Sequence, residues 1–376
     1  MRLIIVGAGI AGSAAAHAAA TLGADVTLVD ATHTGRATSA GAGIVCPWAS
    51  RVDDPEWYVL ACSAARAYPS LVGALAEAGE TLLGYRRVGA MVLADSVAEQ
   101  EEIRARLLAR QPDWPEMGEI TALNGDQARA LFPPLRPDAL AVHISGGARV
   151  DGRLISAALR RAAGRAGAAV RAGHAELTVS GGPGEGVTAT GVTVDGEFIE
   201  ADAVLAATGT WTDEFLAPAG VTLGITPQRG QITHIGLGLT DTSRWPVVLP
   251  GGSGHYLLAF DDSRVVVGAT RETGAGLDYR LTVGGLTEVL NNALSVAPGL
   301  STGTYLETRI GFRPMGPGIR PVLGRAPGTE RLVIATGLGA SGLTMGPYSG
   351  ELAARAALGL DLPLDLAPFR PASIAS

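Results

Sequence analysis

Leu3-Ile4-Ile5-Val6-Gly7-Ala8-Gly9-Ile10-Ala11-Gly12 stands almost at the front of the chain, and its reading decides the fold. Four large apolar residues in a row read as a strand buried on both faces. An alanine-rich helix follows the glycines and runs to about Leu22. Gly7 permits the sharp exit from the strand, Gly9 leaves the backbone bare where a pyrophosphate can approach, and Gly12 lets helix and strand pack closely. The whole turn, with Ala8, Ile10 and Ala11 between the glycines, therefore reads as a phosphate cradle at a helix N-terminus, where free amides and the helix dipole favour negative charge. A second strand, Ala24-Asp25-Val26-Thr27-Leu28-Val29, ends at Asp30, about 18 residues past Gly12, with Ala31 beside it. A carboxylate there can accept hydrogen bonds from a ribose diol. Arg2 and the apolar run behind it also fit a secretion signal, but such a signal has no need for the glycine spacing.

Working outward, the 376 residues exceed the usual single-domain size and suggest two domains. A hydrophobic fraction of 47% with 17% charged residues provides for a large core and argues against disorder. The net charge of -7 offers no basic face to nucleic acid or anionic lipid. The 52 glycines follow no repeat period and so mark tight turns. Cys46 and Cys62, the two cysteines, cannot form a disulfide framework or an all-thiolate zinc site; they suit a reducing, cytoplasmic interior, and no metal is expected. Beyond the N-terminus no unbroken apolar run reaches the roughly 18 residues of a transmembrane span.

A glycine turn alone does not separate NAD from FAD. The next segment, Arg36-Ala37-Thr38-Ser39-Ala40-Gly41-Ala42-Gly43-Ile44, is small and hydroxylated, without a clean helix or strand period. Further on, Ala203-Val204-Leu205-Ala206-Ala207 runs into Thr208-Gly209-Thr210-Trp211, and Leu332-Val333-Ile334-Ala335 into Thr336-Gly337-Leu338-Gly339-Ala340-Ser341-Gly342-Leu343-Thr344. Three glycine turns after three buried strands can converge at the carboxyl ends of one parallel sheet. That makes a long site, suited to an extended FAD with a flavin head as well as an adenine end.

With those turns, and with Pro227-Gln-Arg-Gly-Gln231, Tyr256-Leu-Leu, Val267-Gly-Ala-Thr270 and Gly311-Phe-Arg-Pro314 in order, the chain resembles the D-amino-acid oxidase and glycine oxidase group of flavoproteins. That group also takes in D-amino-acid dehydrogenases and sarcosine oxidases. The resemblance spans nearly the whole chain. It implies an α/β fold: a glutathione-reductase-like Rossmann FAD-binding domain interleaved with an α+β substrate domain built on an antiparallel sheet. Residues 1–84, 145–222 and 307–376 would form the first, and residues 85–144 and 223–306 the second. Sequence pattern within the second suggests a strand from Val88 to Leu93, a charged helix from Ser96 to Arg110, and hairpins through 230–235, 256–260 and 264–268. Besides Gly7 to Gly12, Asp30 and Ala31, the FAD contacts implied are Thr38, Ser39, Ala40, Ala42, Gly43, Ile44, Ala175, Ala207, Thr208, Gly209, Trp211, Arg313, Gly337, Gly339, Ala340, Ser341, Gly342, Leu343 and Thr344.

At the substrate end, Arg313 matches the family's carboxylate clamp, a task suited to a planar guanidinium that donates two parallel hydrogen bonds. The bland alternative is a salt bridge to a nearby acid. Tyr256 matches a tyrosine that helps bind the carboxylate and closes the pocket, against the plainer reading of a sheet-face residue. His255 and Trp48 are candidates for the pocket lining, against the plainer reading of structural residues, and the small Ala340 hints at room for a substrate side chain. The cysteine to which sarcosine oxidases tether FAD lies in the C-terminal portion, and none follows Cys62 here, so the FAD is expected to be noncovalent. Gly318-Ile319-Arg320-Pro321 departs from the Asp-Gly pair of many bacterial relatives, which weakens a glycine-oxidase assignment. The expected activity is oxidation of a small amino acid, of D configuration, by hydride transfer from the α-carbon to flavin N5. An imine, then a keto acid and ammonia, would follow, with oxygen or another acceptor taking the electrons. An oxidase or dehydrogenase of N-alkyl or cyclic amino acids is the alternative. A nicotinamide dehydrogenase and a flavin-bound scaffold without turnover stand further off, and homo-oligomerisation is left open.

Overall fold

The Arg2–Val6 strand buries every residue but its first, which requires cover on both faces of its sheet. The computed structural model, which describes residues 1–182 and 186–372, supplies it. Six strands lie in the order Val322–Arg325, Leu332–Thr336, Ala203–Ala206, Arg2–Val6, Asp25–Asp30, Ala169–Ala172. All neighbours are parallel except the outer Val322–Arg325 strand. Helix Ile10–Thr21 packs against helices Gly152–Arg165 and Gly342–Leu358. The approach of the last is close, since a Cβ on Gly350 would fall 2.1 Å from the Ala11 carbonyl oxygen. This is the Rossmann-type half expected from the glycine turn, which carries Gly7 at φ +99°. Beside it, Ala175–Gly182, Gly186–Val194 and Glu197–Glu200 form an antiparallel sheet, to which Thr329–Glu330 adds a parallel edge.

The other large sheet has nine strands among the described residues. From one edge it runs Glu272–Thr273, Thr226–Gly236, Arg264–Gly268, Tyr256–Phe260, Val247–Leu249, Ala90–Ala94, Leu140–Ile144, Ile120–Leu123, with Thr304–Met315 also paired to Thr226–Gly236. It is antiparallel except where Val247–Leu249 meets Ala90–Ala94 in parallel. That one pairing joins two hairpin systems from distant parts of the sequence.

Several expectations shift in detail. The strand expected from Val88 is Ala90–Ala94, and the charged helix is Val97–Arg110, with the Ser96 hydroxyl accepting from the Glu99 amide at 3.1 Å as its cap. By strand pairing, Thr304–Met315 stays in the nine-stranded sheet past the expected return at 307, because leaving mid-ladder would orphan its backbone groups. Residues 373–376 of the last expected segment lie outside the described residues. The segment 36–44 contains a short helix, Ala37–Ala40, and a strand, Ile44–Val45, paired to Ala148–Arg149. Among the described residues one helix, Pro55–Glu77, is long and apolar enough by length and composition to cross a membrane. Arg66 and Pro69 interrupt its apolar run, and it buries Trp57, Leu60, Ala61, Cys62 and Tyr68 in the core, packed against Gly342–Leu358.

Candidate active site

The turns after Arg2–Val6, Ala203–Ala206 and Leu332–Thr336 open into one cavity of about 1060 Å³. Cofactor and ligand sites usually measure about 300–1,000 Å³, so this one is large. At its phosphate end Gly9 faces open space: a Cβ there would meet only the Thr38 hydroxyl, at 3.4 Å. That hydroxyl accepts from the Ile10 amide at 2.9 Å, fastening the small-residue segment to the glycine turn. Gly43, at φ +98°, must lack a side chain as well, since a Cβ would lie 1.7 Å from the Val150 carbonyl oxygen.

Asp30 accepts from the Ala8 amide at 2.6 Å, the Thr32 amide at 2.7 Å and Arg36 Nη1 at 2.9 Å. A carboxylate offers about four acceptor sites, so one remains for a ribose hydroxyl. Ala31, Ala175 and His33 share this wall, and His33 stacks on Trp211 with ring centroids 4.5 Å apart. Ala207, Thr208 and Gly209 complete it. The Gly209 carbonyl accepts from the hydroxyls of Thr212 at 2.6 Å and Thr336 at 3.0 Å, which ties the second glycine turn to the third. Open backbone at Gly9, a carboxylate with a spare acceptor and a wall of small residues fit an FAD laid across the sheet ends.

Towards the other end the lining passes through Thr38, Ala40, Ala42, Gly43 and Ile44 to Gly339, Ala340, Ser341, Gly342, Leu343 and Thr344. These last residues lead into the 17-residue helix Gly342–Leu358, whose N-terminus offers partial positive charge. Four of the expected contacts do not line the cavity but support it from behind. Ala8 spends its amide on Asp30, a Cβ on Gly12 would lie 1.8 Å from the Gly7 carbonyl oxygen, the Ser39 carbonyl accepts from Arg153, and Gly337 turns the chain at φ +70°. Cys46 does line it, but burial pushes its thiol up to about 12, and a protonated thiol is a poor nucleophile. Trp48 is buried in the core, its carbonyl accepting from Arg110.

Arg313 reaches the cavity from the Thr304–Met315 strand, opposite Gln228. Its Nη1 donates to the Gln228 side-chain oxygen at 3.2 Å and the Thr270 carbonyl at 3.0 Å, both neutral. The nearby acid Glu272 is bound instead to Arg229, Gln231 and Thr270. The salt-bridge alternative therefore finds no support, and among the described residues Arg313 pairs with no carboxylate. The Tyr256 hydroxyl neighbours this guanidinium; burial raises its pKa, while the charges of Arg313 and Arg271 pull the other way. Glycines leave room for both, since a Cβ on Gly230 would lie 2.7 Å from Arg313 Nη2 and one on Gly268 3.0 Å from the Tyr256 hydroxyl. Sequence reasoning missed Arg36, Ile232 and Arg271 on the lining; His255, for which it preferred a structural role over the pocket, also lines it.

Residues 2–356 match the family described as DAO, FAD dependent oxidoreductase. The chain is 45% identical over 370 residues to the uncharacterized oxidoreductase YurR of Bacillus subtilis strain 168, covering 98% of each chain. It is 30% identical over 373 residues to the glycine oxidase of Pseudomonas aeruginosa PAO1, covering 99% of this chain and 98% of the other. Among solved structures, the iminodiacetate oxidase IdaA of Chelativorans sp. BNC1 superposes with a TM-score of 0.93 at 48% identity, over 98% of this chain and 99% of the other. The glycine oxidase of Geobacillus kaustophilus gives 0.84 at 25% identity over the full length of both. With the match running from residue 2 to residue 356 and three glycine turns meeting at one cavity, the chain belongs to the DAO family of FAD-dependent oxidoreductases, and FAD is its cofactor.

Proposed function

We propose that the chain oxidises the C–N bond of a small amino acid whose carboxylate is held by Arg313 and Tyr256, and that the amine is secondary. The observation that carries the clamp is an arginine on the cavity wall whose hydrogen-bond acceptors among the described residues are neutral, next to a phenol. A guanidinium facing a ligand cavity without a counter-ion is a ready receptor for a carboxylate. The secondary amine is supported by the 48% identity to an iminodiacetate oxidase, well above the identity to glycine oxidases, and so takes precedence over deamination of a D-amino acid.

Bound FAD would supply a two-electron acceptor for the hydride of the substrate α-carbon, and water would hydrolyse the resulting substrate imine to a carbonyl compound and a free amine. Holding the carboxylate fixes the α-carbon in place, which converts binding into orientation. Tyr256 remains protonated at neutral pH, because burial raises its pKa, and can donate to a carboxylate oxygen. The N-terminus of Gly342–Leu358, at the cavity lining, would favour negative charge on a reduced cofactor held there. No side chain here is required to act as a base.

The test is an anaerobic titration of the purified flavoprotein with glycine, D-alanine, sarcosine and iminodiacetate, watching the flavin absorbance bleach, followed by air to ask whether oxygen restores it. Secondary amines should bleach it fastest; faster bleaching by D-alanine would restore the primary-amine reading. Arg313→Ala should keep FAD and lose on the order of 3–5 kcal/mol of transition-state stabilisation, roughly a hundredfold to several thousandfold in kcat/KM. Arg313→Lys should recover part of this, keeping the charge without the fork. An equal loss on the decarboxylated amine would remove the clamp.

A further inference from the structure

Arg313 has a cationic neighbour in the same cavity that the reaction above does not use. Arg271 directly follows Thr270, whose carbonyl accepts from Arg313, and it lines the cavity together with Tyr256 and His255. Among the described residues it makes no ion pair and no hydrogen bond. Glu272, the acid next to it in sequence, is bound instead to Arg229. Its position is built into the loop across from it. A Cβ on Gly254 would fall 1.5 Å from Arg271 Nη1, so the guanidinium rests where a side chain at 254 would otherwise stand. The two arginines are near enough that Arg271's charge lowers the proton affinity of Arg313.

Two uncompensated guanidiniums near one another in a partly buried cavity repel, and one bound carboxylate neutralises only one of them. We infer that Arg271 receives a second carboxylate of the substrate, so the substrate is an amino dicarboxylate. This rests on Arg313 as the clamp for the first carboxylate. Two chemistries carry that pair of anions: a secondary amine with a carboxylate on each arm, and an amino acid with an acidic side chain. Plain monocarboxylate amino acids would leave Arg271 to water.

Binding can be read without turnover, using probes that have no C–N bond to oxidise. Thiodiacetate presents two carboxylates and methylthioacetate one, and each can be titrated against the visible spectrum of the FAD-loaded protein. Thiodiacetate should bind the wild type more tightly. Arg271→Ala should weaken it roughly tenfold to a hundredfold, the range for a charge-assisted hydrogen bond, and shift methylthioacetate less than about threefold. Gly254→Ala should reproduce the selective loss without removing the charge, because its methyl group displaces the guanidinium. In turnover, kcat/KM for iminodiacetate against sarcosine, and for aspartate against alanine, tells which of the two dicarboxylates is preferred. Thiodiacetate binding no tighter than methylthioacetate, or both weakening equally in Arg271→Ala, would overturn the second subsite. Arg313→Ala leaving both probes untouched would instead overturn the clamp beneath it.

Discussion

Gly9 and Gly12 belong to one turn but are glycine for unlike reasons. At Gly9 the backbone is unstrained, at φ -66°, and the space beyond is the cavity, so a side chain there meets ligand more than protein. At Gly12 a side chain meets the backbone of Gly7 itself. Gly9→Val should therefore fold normally and lose FAD, while Gly12→Val should destabilise the whole protein by about 1–3 kcal/mol or more, as overpacking does. Flavin absorbance per protein and thermal melting of the apoprotein separate the two, and full FAD occupancy in Gly9→Val would contradict the assigned cradle. Asp30→Ala should weaken FAD less than Gly9→Val, because it removes an acceptor without adding bulk, although it also frees the Ala8 amide and Arg36.

Between elements, Glu80 joins parts distant in sequence. It follows the Pro55–Glu77 helix and binds Arg161 and Arg165, both on the Gly152–Arg165 helix. The hydrogen bond from Arg161, followed by that from Arg165, holds its carboxyl well below the usual range, at about 2. A depressed carboxyl stabilises the fold above its unfolded pKa, and that contribution drains away as pH falls towards the folded value. Glu80→Gln should cost about 1.5–3 kcal/mol at neutral pH, the worth of charge-assisted hydrogen bonds. Its melting temperature should also fall less than that of the wild type between about pH 5 and pH 2, and parallel curves would refute the assignment. Ties of this kind mark where the sequence stops being legible. The strand, turn and helix of residues 2–21 can be read in advance because glycine spacing and apolar runs are local. Arg313 could be named because a four-residue motif carries it. Arg271 gives no such sign: it reaches the cavity only because Thr270 lies beside Arg313 and Gly254, in another loop, makes way. Ser39 and Gly337 were expected at the lining for the converse reason, since a motif conveys proximity to a site but not which way each residue faces.

At the scale of the molecule, the cavity draws its walls from both large sheets, with Arg313 and Tyr256 on the nine-stranded sheet and the glycine turns on the six-stranded one. FAD seated there bridges the two, so its binding should stabilise both together. Adding FAD to deflavinated protein at about 100 times its Kd should raise stability by roughly 2.7 kcal/mol, seen as a single shifted melting transition; two separate transitions would show that the halves unfold independently. Because both cysteine thiols are buried and raised to about 12, acid or heat should release free FAD, and flavin remaining on the denatured chain would refute noncovalent binding. The order of strands has a consequence for biosynthesis. In the six-stranded sheet, Ala203–Ala206 stands between Arg2–Val6 and Leu332–Thr336, so the first strand waits about 200 residues for one neighbour, and that neighbour over 120 more for its own. On a ribosome releasing about 5–20 residues per second, the third glycine turn emerges some tens of seconds after the first. The nascent chain therefore cannot close its flavin cavity until the Leu332–Thr336 strand and the turn after it have been made, and stalled chains ending before Leu332 should emerge without FAD.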